Sequence, residues 1–405
     1  MKTIRPVVVV GVLACCFGPG VFQTPGVRME STRYPALCSQ IQNPEPQLLS
    51  PGAKKTCPVT LKVGDYLKAV VEQQGIDVVV RLTGPDGSVV TEVDDSSPKE
   101  GPETLTWVVE KDGTYQLEIE TAEGETSSGN YVLKLDPPRP ATEPERAQVE
   151  IDRLSHEVES LFQQRKYDQA IHLAQEVLDL AERVLGPNHS YTGDCINNLA
   201  ALYWARGNYD KAEPLFIRAL AIVEEKLGPE HLETAVSFNN LARLYQAKGD
   251  LAKAEPLYMR CLAIREKETG PDSLKVSDTL NSLGLLKKEM GNFSEAEAIL
   301  KRALTIQEKK LGPDHPDVTE VSSNLALLYL EIGKYAKVEP LFLRNLAVQE
   351  KVNGPEHPDV ATSLNDLAGY YQTRGDYAKA ELLFQRSLAI WEKAVGPNHP
   401  EVALS

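Results

Sequence analysis

The sequence predicts a multidomain chain: a small antiparallel β-sandwich followed by an all-α, right-handed solenoid of helical hairpins. Three observations carry that prediction. A Gly-Pro pair returns every 42 residues, at Gly186, Gly228, Gly270, Gly312, Gly354 and Gly396. Between successive pairs, apolar residues recur at helical spacing, as Leu215, Ala219, Leu220 and Ile222 do. From Cys57 to Leu135 the pattern is instead short β-branched runs parted by turn residues, the signature of strands.

The 405-residue chain carries a formal net charge of −15. It holds no cluster of Lys and Arg, and phosphate backbones are bound through such clusters by counterion release, so nucleic acid is not expected as a partner. Residues 1–20 read as a signal peptide. Lys2 and Arg5 flank the start of an apolar run from Pro6 to Phe17, too short to span a bilayer and ended by Gly18-Pro19-Gly20. The step Val12-Leu13-Ala14-Cys15 is similar to a bacterial lipoprotein box, which makes Cys15 a candidate for lipidation. The expected location is therefore exported: secreted, periplasmic or anchored at the cell envelope, with membrane contact only through that lipid. Residues 21–55 lack helical or strand periodicity and read as a disordered linker. Cys38 and Cys57 either pair in an oxidising compartment or stay as free thiols. Cys195 and Cys261 fall at helical positions and read as small core residues.

Residues 56–137 form the expected β-domain. Strands are expected over Tyr66–Glu72, Asp77–Leu82, Ser88–Val93, Glu103–Glu110, Thr114–Glu120 and Asn130–Leu135. Pro85-Asp86-Gly87 and Asp112-Gly113 separate them with turn chemistry: Pro presets φ and Gly accepts positive φ. Strands with no helix between them imply an antiparallel sandwich. The carboxylates Asp65, Asp77, Asp86, Asp94 and Asp95 do not follow EF-hand spacing and read as turn or solvated residues rather than a calcium site. The order LKVGDYLKAVVEQQGIDVVVRLTGPDGSVV, GTYQLEIE and GNYVLKL resembles the bacterial pre-peptidase C-terminal domain. That resemblance implies an accessory module of an exported protein. Residues 138–145 are a Pro-rich linker.

Five complete units then fill residues 186–395, after a degenerate capping unit at 146–185 and before the start of a further unit at 396–405. Each unit carries two helical patterns. The first holds a step such as Asn197-Asn198-Leu199-Ala200 with Tyr203, or Asn239-Asn240-Leu241-Ala242 with Tyr245. A turn glycine follows, and the second helix opens with pairs such as Tyr209/Ala212 and Tyr335/Val338. Small residues let two antiparallel helices approach closely, and one hairpin alone leaves a face uncovered, so neighbours must stack. This pattern resembles the tetratricopeptide repeat (TPR) in its 42-residue form, and GNYDKAEPLFIRALAIVEEKLGPEH looks closely like a kinesin light chain repeat. In the third unit Gly284 replaces the usual Ala and Lys287 the usual Tyr, so that unit is expected to pack more loosely.

Catalysis finds no footing. The sequence has no Gly-x-Ser-x-Gly, P-loop, Cys-x-x-Cys or His-Glu-x-x-His pattern. His189, His231, His315, His357 and His399 share one loop position, with Ser273 in that place in the third unit; stacked units hold such residues apart, so they read as loop or capping residues rather than metal ligands. No cofactor is expected. Binding is expected instead, because the TPR resemblance implies that first helices line a concave groove. Its candidates are Asn197, Asn239, Asn281, Ser323 and Asn365, two residues before each Leu of the Leu-Ala step. Two residues after it come Ala201, Arg243, Leu285, Leu327 and Gly369. Trp204, Gln246, Lys288, Leu330 and Gln372 lie three further on. An Asn amide offers a donor and an acceptor to a peptide backbone, or equally to a neighbouring helix.

The function expected is an exported, non-catalytic scaffold that holds a protein or peptide segment in that groove. The alternative is the sensor part of a longer caspase-like (CHAT) peptidase. It follows from the resemblance to exported bacterial proteins that join this β-domain to long TPR arrays. The last unit stops at Ser405 without a polar cap, which suggests a longer reading frame.

Overall fold

A computed structural model describes residues 46–94, 100–122 and 128–396. Cys15, Cys38, Asp95 and His399 lie outside them. The chain divides into two compact units, one up to Leu215 and one from Phe216 onward.

The first unit opens with nine strands: β1 (Gln47–Leu49), β2 (Lys54–Leu61), β3 (Asp65–Gln74), β4 (Val78–Thr83), β5 (Val89–Val93), β6 (Glu100–Val108), β7 (Gly113–Thr121), β8 (Gly129–Leu135) and β9 (Arg139–Pro140). One sheet runs β1-β8-β3-β6, with β9 also paired to β3; the other runs β2-β7-β4-β5. Every pairing is antiparallel. Alternate residues of both sheets, such as Leu67, Ala69 and Val71 of β3 and Leu117 and Ile119 of β7, form one buried core. The six expected strands are all present. Three more were not expected: β1 and the start of β2 lie in the segment read as linker, and β2 carries Pro58, which an edge strand tolerates.

Residues 138–145, read as a linker, form a structured joint. Strand β9 lies against the start of β3, pairing Arg139 with Tyr66 and Pro140 with Asp65. Ala141 N–H then donates to Gly64 O at 2.9 Å, and helix α1 (Glu143–Gln163) begins with a capping box between Thr142 and Glu145. The Arg139 guanidinium grips the Glu145 carboxylate and sits 5.4 Å above the Tyr66 ring. That grip, with the Thr142 bonds, holds the Glu145 carboxyl down at about 2, while burial pushes the Tyr66 hydroxyl up to about 12. Pro-rich composition here encodes an ordered corner, because β9 and the cap satisfy its backbone.

Helices follow in pairs: α2 (Tyr167–Val184), α3 (Ser190–Ala205), α4 (Tyr209–Leu227), α5 (Leu232–Lys248), α6 (Leu251–Thr269), α7 (Leu274–Glu289), α8 (Phe293–Leu311), α9 (Val318–Glu331), α10 (Val338–Asn353), α11 (Pro358–Arg374) and α12 (Tyr377–Val395). The boundary between the two compact units falls inside α4. The repeated His explains how first helices start. His231 and His357 cap α5 and α11, each accepting through Nδ1 the backbone N–H two residues on at 3.2 Å, and Ser273 Oγ caps α7 by accepting Val276 N–H, three residues on, at 3.3 Å; His315 accepts Asp317 N–H at 3.3 Å just ahead of α9, whose cap position is Asp317.

The Gly-Pro loop that opens each repeat is also a socket for that repeat's second helix. Arg302, Arg344 and Arg386 of successive second helices donate to the carbonyls of Pro271, Pro313 and Pro355, at 3.1, 2.6 and 3.3 Å. The same guanidinium groups pair with Glu266, Glu308 and Glu350 of the preceding second helix. The acidic residue after each Pro receives a Lys from the second helix of the same unit: Lys309 meets Asp272 at 2.7 Å, and Lys393 meets Glu356.

The third repeat does not pack loosely, contrary to expectation. A Cβ added at Gly284 would lie 2.7 Å from both Cγ and Cδ2 of Leu300, so the glycine is what lets the fully buried Leu300 come in. Lys287 keeps the bonds of the Tyr it replaces, with Nζ 2.6 Å from both Glu255 and Glu295.

Candidate protein-binding groove

In the second unit, first helices meet their counterparts in the next repeat: α5 touches α7, and α7 touches α9. Charge follows the same path. Burial pushes the Arg243 guanidinium of α5 below its usual value, while Tyr258 of α6 and Glu320 of α9 pull it back up.

Several of the candidate residues are engaged by side chains of neighbouring helices. Asn281 is buried; its Nδ2 donates to Glu320 Oε1 at 3.1 Å and its Oδ1 accepts from Asn324 Nδ2 at 2.9 Å. Its amide thus ties α7 to α9. Gln246 donates to Glu289 Oε1 at 3.0 Å and accepts the Tyr258 hydroxyl at 2.9 Å, tying α5 to α7 and α6. Lys288 lies 3.5 Å from Glu331. Asn239 and Asn365 are half-buried, as are Ser323, Leu285, Leu327 and Leu330, and Gln372 is exposed. The structure therefore engages Gln246, Asn281 and Lys288 in separate contacts, each joining a first helix to a neighbouring helix. Asn197 and Trp204, both half-buried, lie on α3 in the first unit.

Two acidic residues were missed. Asp278 and Glu320 share one position, three residues before Asn281 and Ser323, and that 42-residue spacing was the available signal. Burial pushes the Asp278 carboxyl up to about 6, with Arg265 opposing and Glu320 and Asp317 adding to the rise. Among the described residues no three His, Cys, Asp or Glu side chains are grouped to hold a metal, and no helix is long and apolar enough to cross a membrane.

A tetratricopeptide repeat family profile matches residues 154–225, 194–267, 234–309, 275–344 and 323–393. Among solved structures, the nearly identical TPR-like repeats of a Podosopora anserina kinesin-light-chain-type protein share 28% identity, over 51% of this chain and 98% of that one, with a TM-score of 0.45. BtubC (BKLC) from P. vanneervenii shares 26%, over 64% and 95%, with a TM-score of 0.46. Aspartyl phosphate phosphatase F from Bacillus subtilis shares 15%, over 62% and 73%, with a TM-score of 0.46. A comparison with curated proteins found no match. With the profile matching from residue 154 to residue 393, more than half its length, the chain belongs to the tetratricopeptide repeat family.

Proposed function

We propose that the chain is an exported, non-catalytic scaffold that holds a segment of another polypeptide along its first helices. Family membership supports a protein-interaction role at the coarse level. The observation that supports the finer reading is the run of side-chain bonds between first helices, Gln246 to Glu289 and Asn281 to Glu320, which links α5, α7 and α9. The test is a capture experiment with the full chain as bait. Asn239→Ala combined with Arg243→Ala should lose the captured partner while helicity by circular dichroism stays unchanged; retained capture overturns the groove.

Export rests on the N-terminal sequence. Fractionation of expressing bacteria, with the mature N-terminus read by mass spectrometry, distinguishes a cleaved signal from a lipid on Cys15; an intact N-terminus in the cytosol would overturn export. A bond between Cys38 and Cys57 is proposed for the exported form and is read by the mass change on reduction. The pre-peptidase identity of the β-domain, and with it the caspase-like alternative, rests on sequence resemblance. A His/Cys peptidase domain encoded beyond Ser405 would favour that alternative, and an immediate stop would exclude it.

A further inference from the structure

The last residue of α10 departs from its counterparts. Leu227, Thr269, Leu311 and Val395 hold that place in the other repeats; here it is Asn353, followed by Gly354. No other asparagine of the chain precedes a glycine. Asn353 is half-buried, and its Nδ2 donates to Gln349 Oε1 at 2.7 Å and to Asp359 Oδ2, in the first turn of α11, at 3.3 Å.

Behind it lies a polar seam between α9 and α10. Gln349 Nε2 donates to Thr319 Oγ1 at 2.8 Å, and that hydroxyl donates to Pro316 O at 2.6 Å. The buried Asn345 donates to Thr319 O at 3.2 Å and to Ser323 Oγ at 2.9 Å. Ser322 is fully buried, and its Oγ has no partner among the described residues. The matching seams are apolar in the second repeat, with Phe238 and Ile264, and in the fifth, with Leu364 and Ile390. Such a seam holds only while each donor faces an acceptor, because a buried polar group left alone is costly.

The backbone beside Asn353 is not tied down. At Gly228, Gly312 and Gly396 the N–H donates to the carbonyl four residues earlier, at 3.1, 3.1 and 3.0 Å; Gly354 N–H makes no such bond. Asn353 can therefore turn without breaking the helix ladder, and glycine has no Cβ to obstruct approach of its nitrogen.

We propose that Asn353 is a site of spontaneous deamidation that loosens the seam between α9 and α10. Gly354 N attacks Asn353 Cγ, and the new C–N bond closes a five-membered succinimide. The Cγ–Nδ2 bond breaks, and that nitrogen leaves as ammonia with the Gly354 amide proton. Water then opens the ring at either carbonyl, giving aspartate or isoaspartate. The new carboxylate donates nothing and faces the Asp359 carboxylate and the Gln349 oxygen. Gln349 can meet it only by turning its amide over, and the Thr319 hydroxyl must then leave Pro316 O to serve the Gln349 oxygen. A bond is lost, two like charges are brought together, and the change runs one way.

The test is ageing of the full chain in mildly alkaline buffer, with digestion at intervals and mass spectrometry. The peptide spanning Asn353 should gain the mass of an amide-to-acid exchange faster than any other asparagine peptide, as two chromatographically distinct products. Fresh Asn353→Asp protein should exchange the amide hydrogens of α9 and α10 about tenfold faster than the fresh parent, with α7 and α8 unchanged. Asn353→Gln, which would have to close a six-membered ring, should keep its mass. On ageing it should also keep the protection of α9 and α10 that the parent loses. An unchanged parent peptide, conversion in urea alone, or parent-like exchange in Asn353→Asp overturns the proposal. So does an aged Asn353→Gln protein that loosens as the parent does.

Discussion

The third repeat (residues 270–311) and the fourth (312–353) reach the same contacts with different residues. In the fourth, Ala326 and Phe342 are the buried small and large residues; in the third, the same two positions hold Gly284 and Leu300. In the fourth, the Tyr329 hydroxyl donates to Glu297 of the preceding repeat at 3.2 Å and Lys337 lies 4.8 Å over its ring. In the third, Lys287 takes the Tyr place, meets Glu255 of the preceding repeat, and faces Glu295 where the fourth has Lys337. Aromatic and cation have become cation and carboxylate. What recurs every 42 residues is a set of contact points with a required sum of volume and charge, and more than one residue set satisfies it.

The sharpest way to break this comparison is Gly284→Val. A branched side chain driven into Leu300 should lower unfolding free energy by about 3 kcal/mol in urea denaturation; a neutral result would mean the third repeat is loose after all. Next is the acidic column. Asp278 titrates at about 6 in the fold, above its unfolded value, so the folded state binds the proton more tightly. Its contribution to stability is complete below about pH 4 and is lost as pH rises through 6. Asp278→Asn should therefore stabilise the protein at pH 8 by an amount on the order of 2 kcal/mol, with no gain at pH 4. A gain that does not depend on pH would show that Asp278 is not desolvated.

A smaller effect tests the exchanged pair directly. Lys287→Tyr and Glu295→Lys should each destabilise alone. Together they recreate the neighbours' arrangement, with a coupling of about 1 kcal/mol in a double-mutant cycle. Smallest is the cap. His357→Ala in the fifth repeat and Ser273→Ala in the third should each cost roughly 0.5–1 kcal/mol, read as a lowered thermal midpoint.

The repeat architecture was legible because its signal is periodic: Gly-Pro, Leu-Ala and the small residues each fix a register, and every repeat restates it. The six strands were legible through turn chemistry. Strands β1, β2 and β9 were not, because they are short or carry Pro58 and Pro140, and pairing with partners far along the chain stabilises them rather than local pattern. The candidate residues were readable as recurring positions on the first helices, but the bonds they make were not. Nothing in the Asn281 codon step of 42 says whether its amide faces solvent or Glu320, since that depends on which acid the next repeat carries at position 320. Looseness was inferred at Gly284 by treating a missing methyl as a void, when a leucine had moved into it.

The sockets of the Gly-Pro loops have a consequence for how such a chain changes over generations. Each junction joins the same parts, an arginine held on its own block's loop carbonyl to a glutamate of the preceding block's second helix. Duplicating or deleting one whole block of 42 residues therefore leaves matching fittings at the new seam. Losing one or two residues from a loop would instead misalign the socket with its arginine. The array is built to lengthen and shorten in whole steps, and selection for reach along a bound chain can act through the number of blocks alone.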